Sequence, residues 1–173
     1  IPTSCALHDA ADTGLKSESA DAVIGEAMLT MQTERGKRAI IAEAYRLLRA
    51  GGTYSIHELG LQPDDLPEPV KDEVRKALAR SIKVNARPLT EKEWRELLES
   101  EGFEVLWSGK EPMALLDMRR NLADEGLGGV LRILRNMLGN KDIRARVMNM
   151  RSTFHKYSQE LNGIAFVVRK PAK

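Results

Sequence analysis

The chain has 173 residues, of which 42% are hydrophobic, so it can bury one core but is too short for two well-covered ones. Its 27 basic and 25 acidic residues leave a formal net charge of +2, which gives no strong field to attract nucleic acid or an anionic membrane surface. We therefore expect a single domain, 1–173, without a nucleic-acid partner.

Cysteine and histidine are scarce. Cys5 is the sole cysteine, which excludes an internal disulfide and a thiolate metal cluster and fits a reducing cytoplasm. The three histidines are scattered, so we expect no metal site. No apolar run approaches the ~18 residues of a membrane span, and the N-terminus lacks the basic and apolar regions of a signal peptide. These features predict a cytoplasmic protein with no membrane span.

The first regular elements form a strand, helix and strand. Residues 22–24 are a short, continuous apolar run, which is typical of a strand at the centre of a parallel sheet. Thr33 is placed to cap a helix, and Gly51 and Gly52 to end it with a positive φ. The helix has apolar residues at helical spacing: Ile40, Ile41, Ala44, Leu47 and Leu48. The following segment, 53–61, predicts a second strand and completes a βαβ unit.

An insertion follows the second strand. The prolines and acids of 62–69 cannot continue a strand, and apolar spacing predicts a helix over about 69–84. A segment that enters and leaves at the end of a strand would overhang the carboxyl edge of the sheet. We therefore predict that 62–88 forms part of a helical cap.

The next helix has the clearest local signal in the sequence. Thr90 and Glu93 are spaced as a capping box, and Leu89 and Trp94 as a hydrophobic staple. The helix is predicted to stop at Gly102, and the apolar residues beyond it predict another strand. On periodicity alone, this is simply one more αβ unit.

The region 114–162 is predicted to be mostly helical and to complete the cap. Asn140 can cap its last helix, whose basic residues are expected to face water rather than nucleic acid. A narrow apolar stripe runs along that helix: Ile143, Val147, Met150, Phe154, Tyr157 and Leu161. The glycines of 126–129 follow no strand, so they indicate a helix break and not a phosphate loop. Gly163 ends the helix, and 164–170 predicts a final strand.

The stretch 20–52, with its Asp-x-Val-Ile strand and a helix ending in AYRLLRAGG, resembles the middle of a class I S-adenosylmethionine-dependent methyltransferase. The resemblance continues to the C-terminus. It implies an α/β, Rossmann-like sheet carrying about strands four to seven, with the seventh antiparallel between the fifth and sixth. Nineteen residues precede Ala20, none of them in a glycine-rich loop. We therefore expect the cofactor-binding N-terminal half to be absent from this chain or not seen.

The resemblance implies S-adenosylmethionine as cofactor and a small molecule as methyl acceptor. Ligands of doubly wound sheets bind beyond the carboxyl ends of the strands. Asp9 and Ala10 resemble the family's pair at the adenine, where the carboxylate accepts from the amino group and the next backbone N–H donates to the ring. His8 departs from the pattern, which usually has glycine or another small residue there. The alternative is that Asp9 is an ordinary solvent-facing aspartate.

Residues at the end of the fourth strand are the second part of the implied site. Gly25 and Glu26 correspond to positions that contact the methionine part of the donor, and Met28, Leu29 and Thr30 would face the acceptor. Glu26 could act as a base or as charge complement to the sulfonium. The alternative is a surface carboxylate beside a helix.

Glu58 lies where the resembled enzymes often carry an acid, so we assign it to the substrate pocket. His57 alternates to the opposite face of the strand, which favours a structural role, and His155 is expected at the surface. Methyl transfer from a sulfonium needs positioning more than covalent assistance, so the sequence identifies no catalytic residue.

The function expected is therefore methyl transfer to a small molecule, with this chain alone inactive. A single cysteine is unlike the arsenic methyltransferases of the family, which rely on several thiols. Two alternatives stay open: a non-catalytic binding module, and a nicotinamide-dependent enzyme lacking its dinucleotide loop. Without its first strand, the edge at 22–24 should recruit another copy, residues 1–8 or a rearranged helix. We accordingly expect a homo-oligomer through that edge.

Overall fold

The computed structural model describes residues 3–113 and 141–172, which build one mixed sheet with helices packed on it. The strand order is β1-β2-β5-β4, and the short β3 also pairs with β2. In chain order the elements are β1 (Ala20–Glu26), α1 (Glu34–Leu47), β2 (Leu48–Leu61), α2 (Glu68–Ile82), β3 (Leu89–Thr90), α3 (Glu91–Ser100), β4 (Glu104–Pro112), α4 (Lys141–Lys156) and β5 (Leu161–Arg169).

The direction and order of the strands confirm the expected topology. β1 runs parallel to β2. β5 lies between β2 and β4 and is antiparallel to both. An antiparallel final strand inserted between two earlier ones is the arrangement that the resemblance implied. The main core lies between α1, α3 and one face of the sheet, where Ile41, Trp94 and Phe166 are fully buried.

Helix α1 begins as predicted but ends earlier. The Thr33 hydroxyl accepts a hydrogen bond from the Gly36 amide at 3.1 Å. The helix stops at Leu47, and Leu48 already has extended backbone angles, so the prediction that Gly51 and Gly52 end it is wrong. Gly51 has φ +79°, and its amide donates to the Lys170 carbonyl at 2.8 Å. The glycine therefore lies within β2, where that strand meets the end of β5, rather than capping a helix.

The capping box of α3 is confirmed in both directions. The Glu93 amide donates to the Thr90 hydroxyl at 3.3 Å, and the Thr90 amide donates to the Glu93 carboxylate at 2.8 Å. The staple residues also lie together, since Leu89 packs against the cluster that contains the fully buried Trp94. The helix ends at Ser100, just before Gly102 at φ +92°.

The last predicted helix ends earlier than expected, since α4 stops at Lys156 and β5 begins at Leu161, so the prediction that Gly163 ends the helix is wrong. The apolar stripe predicted along it is only partly buried. Phe154, Tyr157 and Leu161 join a second core cluster with α2, whereas Ile143 is 47% exposed. The prediction that the whole stripe packs is therefore wrong within the described residues, because α2 covers only the C-terminal part of α4. The predictions for Asn140 and for 126–129 fall outside the described residues.

β1 is an edge strand of this sheet and not a central one. Within 3–113 and 141–172 it pairs with β2 alone, and Ile24 is 79% exposed. Residues 3–19 form no strand pairing with it; their isolated bridge joins Asp9 and Asp12. The expected cover by residues 1–8 or a rearranged helix is thus not observed among the described residues. A central strand needs a neighbouring strand on each side, and the described residues provide β1 with only one.

Candidate active site

A strained turn lies at the carboxyl end of β1. Ala27 has φ +50°, a conformation that non-glycine residues rarely adopt and that occurs often at functional sites. Its amide donates to the His57 carbonyl at 2.8 Å, which ties the turn to β2. The turn therefore holds the chain at the sheet edge where ligands of such folds bind.

Glu58 fixes the loop that follows this turn. Its carboxylate accepts from the amides of Met28 at 2.9 Å, Leu29 at 2.7 Å and Thr30 at 3.0 Å. The Thr30 hydroxyl adds a fourth hydrogen bond at 2.6 Å. Glu58 is 3% exposed, so its oxygens are occupied by the protein itself. In this structure the carboxylate orders the loop and does not reach open space.

Glu26 and His57 form an exposed pair beside the loop. They are register partners on the parallel strands β1 and β2. Glu26 Oε1 lies 2.7 Å from His57 Nδ1, with side chains 67% and 58% exposed respectively. A carboxylate next to an imidazole can accept a proton or complement a cation at this edge. Alternation along β2 puts His57 and Glu58 on opposite faces, as expected.

Gly25 leaves almost no room between β1 and the core. A Cβ at this position would lie 3.0 Å from the Tyr54 hydroxyl oxygen and 3.5 Å from the Met28 sulfur. Burial, and then the charge of Glu58, raise the pKa of Tyr54. The phenol therefore stays protonated and acts as a wall of the site rather than as a base.

Asp9 and Ala10 lie on a separate segment that is attached to α1. The Asp9 carboxylate accepts from the Ala11 amide at 2.9 Å and is otherwise exposed. Further along, the Thr13 amide and hydroxyl donate to Glu43 at 2.9 and 2.5 Å. The half-buried Ala10 packs against the main core cluster. Asp9 thus keeps acceptor capacity free for a ligand.

Arg46 is the stronger partner of Glu43. Its guanidinium contacts both carboxylate oxygens at 2.7 Å. The hydrogen bond to Arg46, followed by those from Thr13, lowers the pKa of Glu43 to about 2. Arg46 also donates to the Leu15 carbonyl at 2.7 Å, so Arg46 and Glu43 together hold the segment that carries Asp9.

The structure brings together Gly25, Glu26, Met28–Thr30 and Glu58, and leaves Asp9 and Ala10 on their own segment. Within the loop only Met28 is partly exposed; Leu29 and Thr30 are 0% and 1% exposed, so their side chains face the core and not open space. Sequence reasoning missed the pairing of Glu26 with His57. Glu26 ends β1 and His57 is its register partner on the parallel strand β2, so the strand register would have revealed it. The roles assigned to all of these residues remain predictions.

No helix in the described parts of the chain is long and apolar enough to cross a membrane. Across 3–113 and 141–172, no group of three or more His, Cys, Asp or Glu side chains is arranged to hold a metal ion.

One curated relative, from Haemophilus influenzae and itself uncharacterised, is 33% identical over 155 residues. The alignment covers 90% of this chain but 59% of the relative. The chain therefore spans less than two thirds of that protein's length. No family model matches the sequence.

Solved structures share the fold at low sequence identity. The [4+2]-cyclase SpnF has a TM-score of 0.66 at 18% identity, over 98% of this chain and 56% of its own. A candidate sarcosine dimethylglycine methyltransferase from Galdieria sulphuraria scores 0.69 at 15% identity, over 94% and 57%. Phosphoethanolamine N-methyltransferase 2 of Haemonchus contortus, in complex with S-adenosyl-L-methionine, scores 0.61 at 18% identity, over 94% and 36%. Likeness at this identity establishes the fold alone.

Proposed function

We propose that this chain, which has the fold of the class I S-adenosylmethionine-dependent methyltransferases, belongs to an enzyme that methylates a small molecule. The observation that carries the proposal is the ordered edge at the carboxyl ends of β1 and β2. A strained turn, an internally held loop and an exposed carboxylate meet there. The cyclase among the structural neighbours shows that the fold alone does not fix the reaction.

The described residues offer suitable partners for one side of S-adenosylmethionine. Asp9 has a free acceptor for an adenine amino group, and Ala10 has a backbone amide beside it. Gly25 and the exposed carboxylate of Glu26 lie where the positively charged methionine part would bind. These residues fit the cofactor, which when bound supplies a methyl group activated by its sulfonium charge.

The half-buried Met28 is proposed to face the methyl acceptor, with the buried Leu29 and Thr30 supporting the loop from behind. Glu58 anchors its backbone, so the loop can hold an acceptor in line with the donor without reorganising. Glu26, paired with His57, can accept a proton that the acceptor releases or balance the charge of the donor. Positioning is the main contribution that the protein makes to such a reaction.

We also propose how this chain is organised, how it assembles and where it is located. Segments 62–88 and 114–162 would form the cap over the acceptor within a single domain. The unpaired edge of β1 would join a second copy of the chain. One exposed cysteine, Cys5, without a disulfide fits a cytoplasmic protein. The 173-residue chain alone is expected to be inactive, because Asp9, Ala10 and Glu26 offer few donor contacts to offset the entropy of association.

Calorimetric titration with S-adenosylmethionine tests the cofactor assignment on the native protein that contains this chain. Asp9→Asn keeps a side-chain oxygen for the Ala11 amide but removes the charge, and should weaken binding about fivefold, which is about 1 kcal/mol. Asp12→Asn removes the same charge from an exposed neighbour and serves as the control.

Three outcomes separate the possibilities. The proposal is supported if Asp9→Asn weakens the binding of S-adenosylmethionine and Asp12→Asn does not. Equal affinities in the two variants would remove Asp9 from the site while leaving the function intact. No binding at millimolar S-adenosylmethionine, together with binding of a nicotinamide dinucleotide, would replace methyl transfer by the dehydrogenase alternative.

A further inference from the structure

A cleft of about 840 Å³ opens between α1, α2 and α3, apart from the candidate active site. Its floor includes Leu89 and Leu97, and its walls carry nine charged side chains. The basic ones are Lys37, Arg38, Arg75, Lys76 and Arg87, and the acidic ones are Glu34, Asp72, Glu93 and Glu96. The cleft is therefore polar, and its charges decide what it can bind.

The acidic side chains of this cleft already have basic partners. Glu34 pairs with Arg38 at 3.3 Å, and Asp72 with Arg75 at 3.4 Å. The other two pair with lysines outside the cleft lining: Glu93 with Lys71 at 2.6 Å and Glu96 with Lys92 at 3.9 Å. The carboxylates are thus neutralised locally.

Three of the five basic side chains lack such a partner. In the part of the chain that the structure describes, Lys37, Lys76 and Arg87 form no salt bridge with a carboxylate. Lys37 is 2% exposed; its ammonium donates to the Arg87 carbonyl at 2.5 Å and lies 5.0 Å from the Trp94 ring centroid. A buried ammonium with one oxygen partner keeps unused donor capacity.

Arg75 adds a second unused donor. Its terminal nitrogen contacts Glu68 at 2.6 Å, but its Nε is buried and has no hydrogen-bond partner among the described residues. Burial, opposed by the charges of Glu58 and Glu34, is the main cause that lowers the pKa of Lys37 to about 8. The nearby charges of Arg75 and Arg87 contribute to this lowering. Basic groups that destabilise one another in this way are stabilised when an anion binds between them.

We infer that this cleft binds a small oxyanion, a molecule bearing phosphate or carboxylate groups, through Lys37, Arg75 and Arg87. The size of the cleft suits a metabolite rather than a lone ion. The site does not depend on methyl transfer, since none of these side chains belongs to the candidate donor site.

The cleft is connected to the active-site loop. The Arg87 amide donates to the Thr30 carbonyl at 2.7 Å, and Thr30 is in turn bound by Glu58. An anion that binds Lys37 and Arg87 would therefore also affect the position of the segment that supports Thr30. This contact gives the site a route by which to influence the loop Met28–Thr30.

Titration of the 173-residue chain with pyrophosphate and with citrate tests the inference. The double variant Lys76→Gln/Arg87→Gln alters two exposed side chains, so the fold should persist, and it should weaken binding about tenfold. Arg35→Gln/Arg80→Gln removes the same charge from two exposed side chains on α1 and α2 that do not line the cleft, and should leave the affinity unchanged. Binding of one probe only would identify phosphate or carboxylate as the preferred group and would support the site.

Proton uptake gives an independent measurement. An anion near Lys37 should raise its pKa, so binding at pH 8 should take up protons, seen as calorimetric heats that depend on the ionisation enthalpy of the buffer. Lys37→Met should abolish that uptake. No binding at millimolar pyrophosphate and citrate, or equal losses in the two double variants, would overturn the inference.

Discussion

Glu58 binds Thr30 through two separate donors, the backbone amide at 3.0 Å and the side-chain hydroxyl at 2.6 Å. The residues lie 28 positions apart in sequence, one on β2 and the other in the loop after β1. A buried carboxylate that receives several donors stabilises the groups around it more than a neutral acceptor would. The shape of the active-site loop is therefore decided by a residue on the neighbouring strand.

Glu58→Gln should destabilise the protein by about 2–4 kcal/mol. The new amide group would point a donor at N–H groups that now have an acceptor, so at least one of them would be left unsatisfied. Urea unfolding followed by circular dichroism measures the change. Glu26→Gln is the matched control on the adjacent strand, where exposure should limit the effect to about 0.5 kcal/mol. Equal stabilities for the two variants would show that the hydrogen bonds of Glu58 do not stabilise the fold.

Ala27→Gly should stabilise the protein by about 0.5–1 kcal/mol, because glycine adopts the φ of +50° without the steric cost that a Cβ imposes. Ala42→Gly, on the exposed face of α1, is the control and should instead destabilise by about 1 kcal/mol. Thermal unfolding of both variants compares the signs. A loss of stability in Ala27→Gly would mean that the strain at this turn is not real.

The lowered pKa of Glu43 predicts how the free energy of unfolding depends on pH in the acid range. Its pKa is about 2 in the folded protein against an ordinary 4.5, so its bonds stabilise the fold fully above about pH 4.5 and are lost as the pH falls toward 2. Glu43→Gln should lower stability by about 1 kcal/mol at pH 7, since Arg46 is partly exposed and its charge is screened.

The variant should also lose less stability than the parent between pH 4.5 and pH 2, measured by urea unfolding at each pH. Glu99→Gln, an exposed carboxylate on α3, is the control. Parallel pH profiles for the parent and Glu43→Gln would contradict the argument.

Ile24→Lys should reduce self-association of the 173-residue chain by about tenfold. A charged side chain on an edge strand blocks pairing with a second sheet, and because Ile24 is 79% exposed its replacement should leave the fold intact. Sedimentation velocity over a range of concentrations gives the association constant. Leu106→Lys introduces the same charge on β4 at the other edge of the sheet and is the control. A monomeric parent chain would refute pairing through β1.

The sequence determined the local elements well, because their signals lie within a few residues of one another. The capping box of Thr90 and Glu93 and the cap at Thr33 depend on spacings of three residues, so they could be predicted without knowledge of the fold. The final strand was recognised for the same reason, by the apolar residues of 164–170, although it begins at Leu161 and contains Gly163. Its place between β2 and β4 came from the family resemblance.

Only the tertiary structure decided which polar groups meet. Glu58 and Thr30, Glu26 and His57, and Lys37 and Arg87 are each separated by 28 to 50 residues, and their contacts depend on strand register and helix packing that no local pattern records. The predicted end of α1 was wrong for a related reason. The extended backbone at Leu48 is set by its pairing with β1 and not by the glycines beyond it. Short-range spacing therefore fixed the elements, while long-range pairing fixed the candidate site.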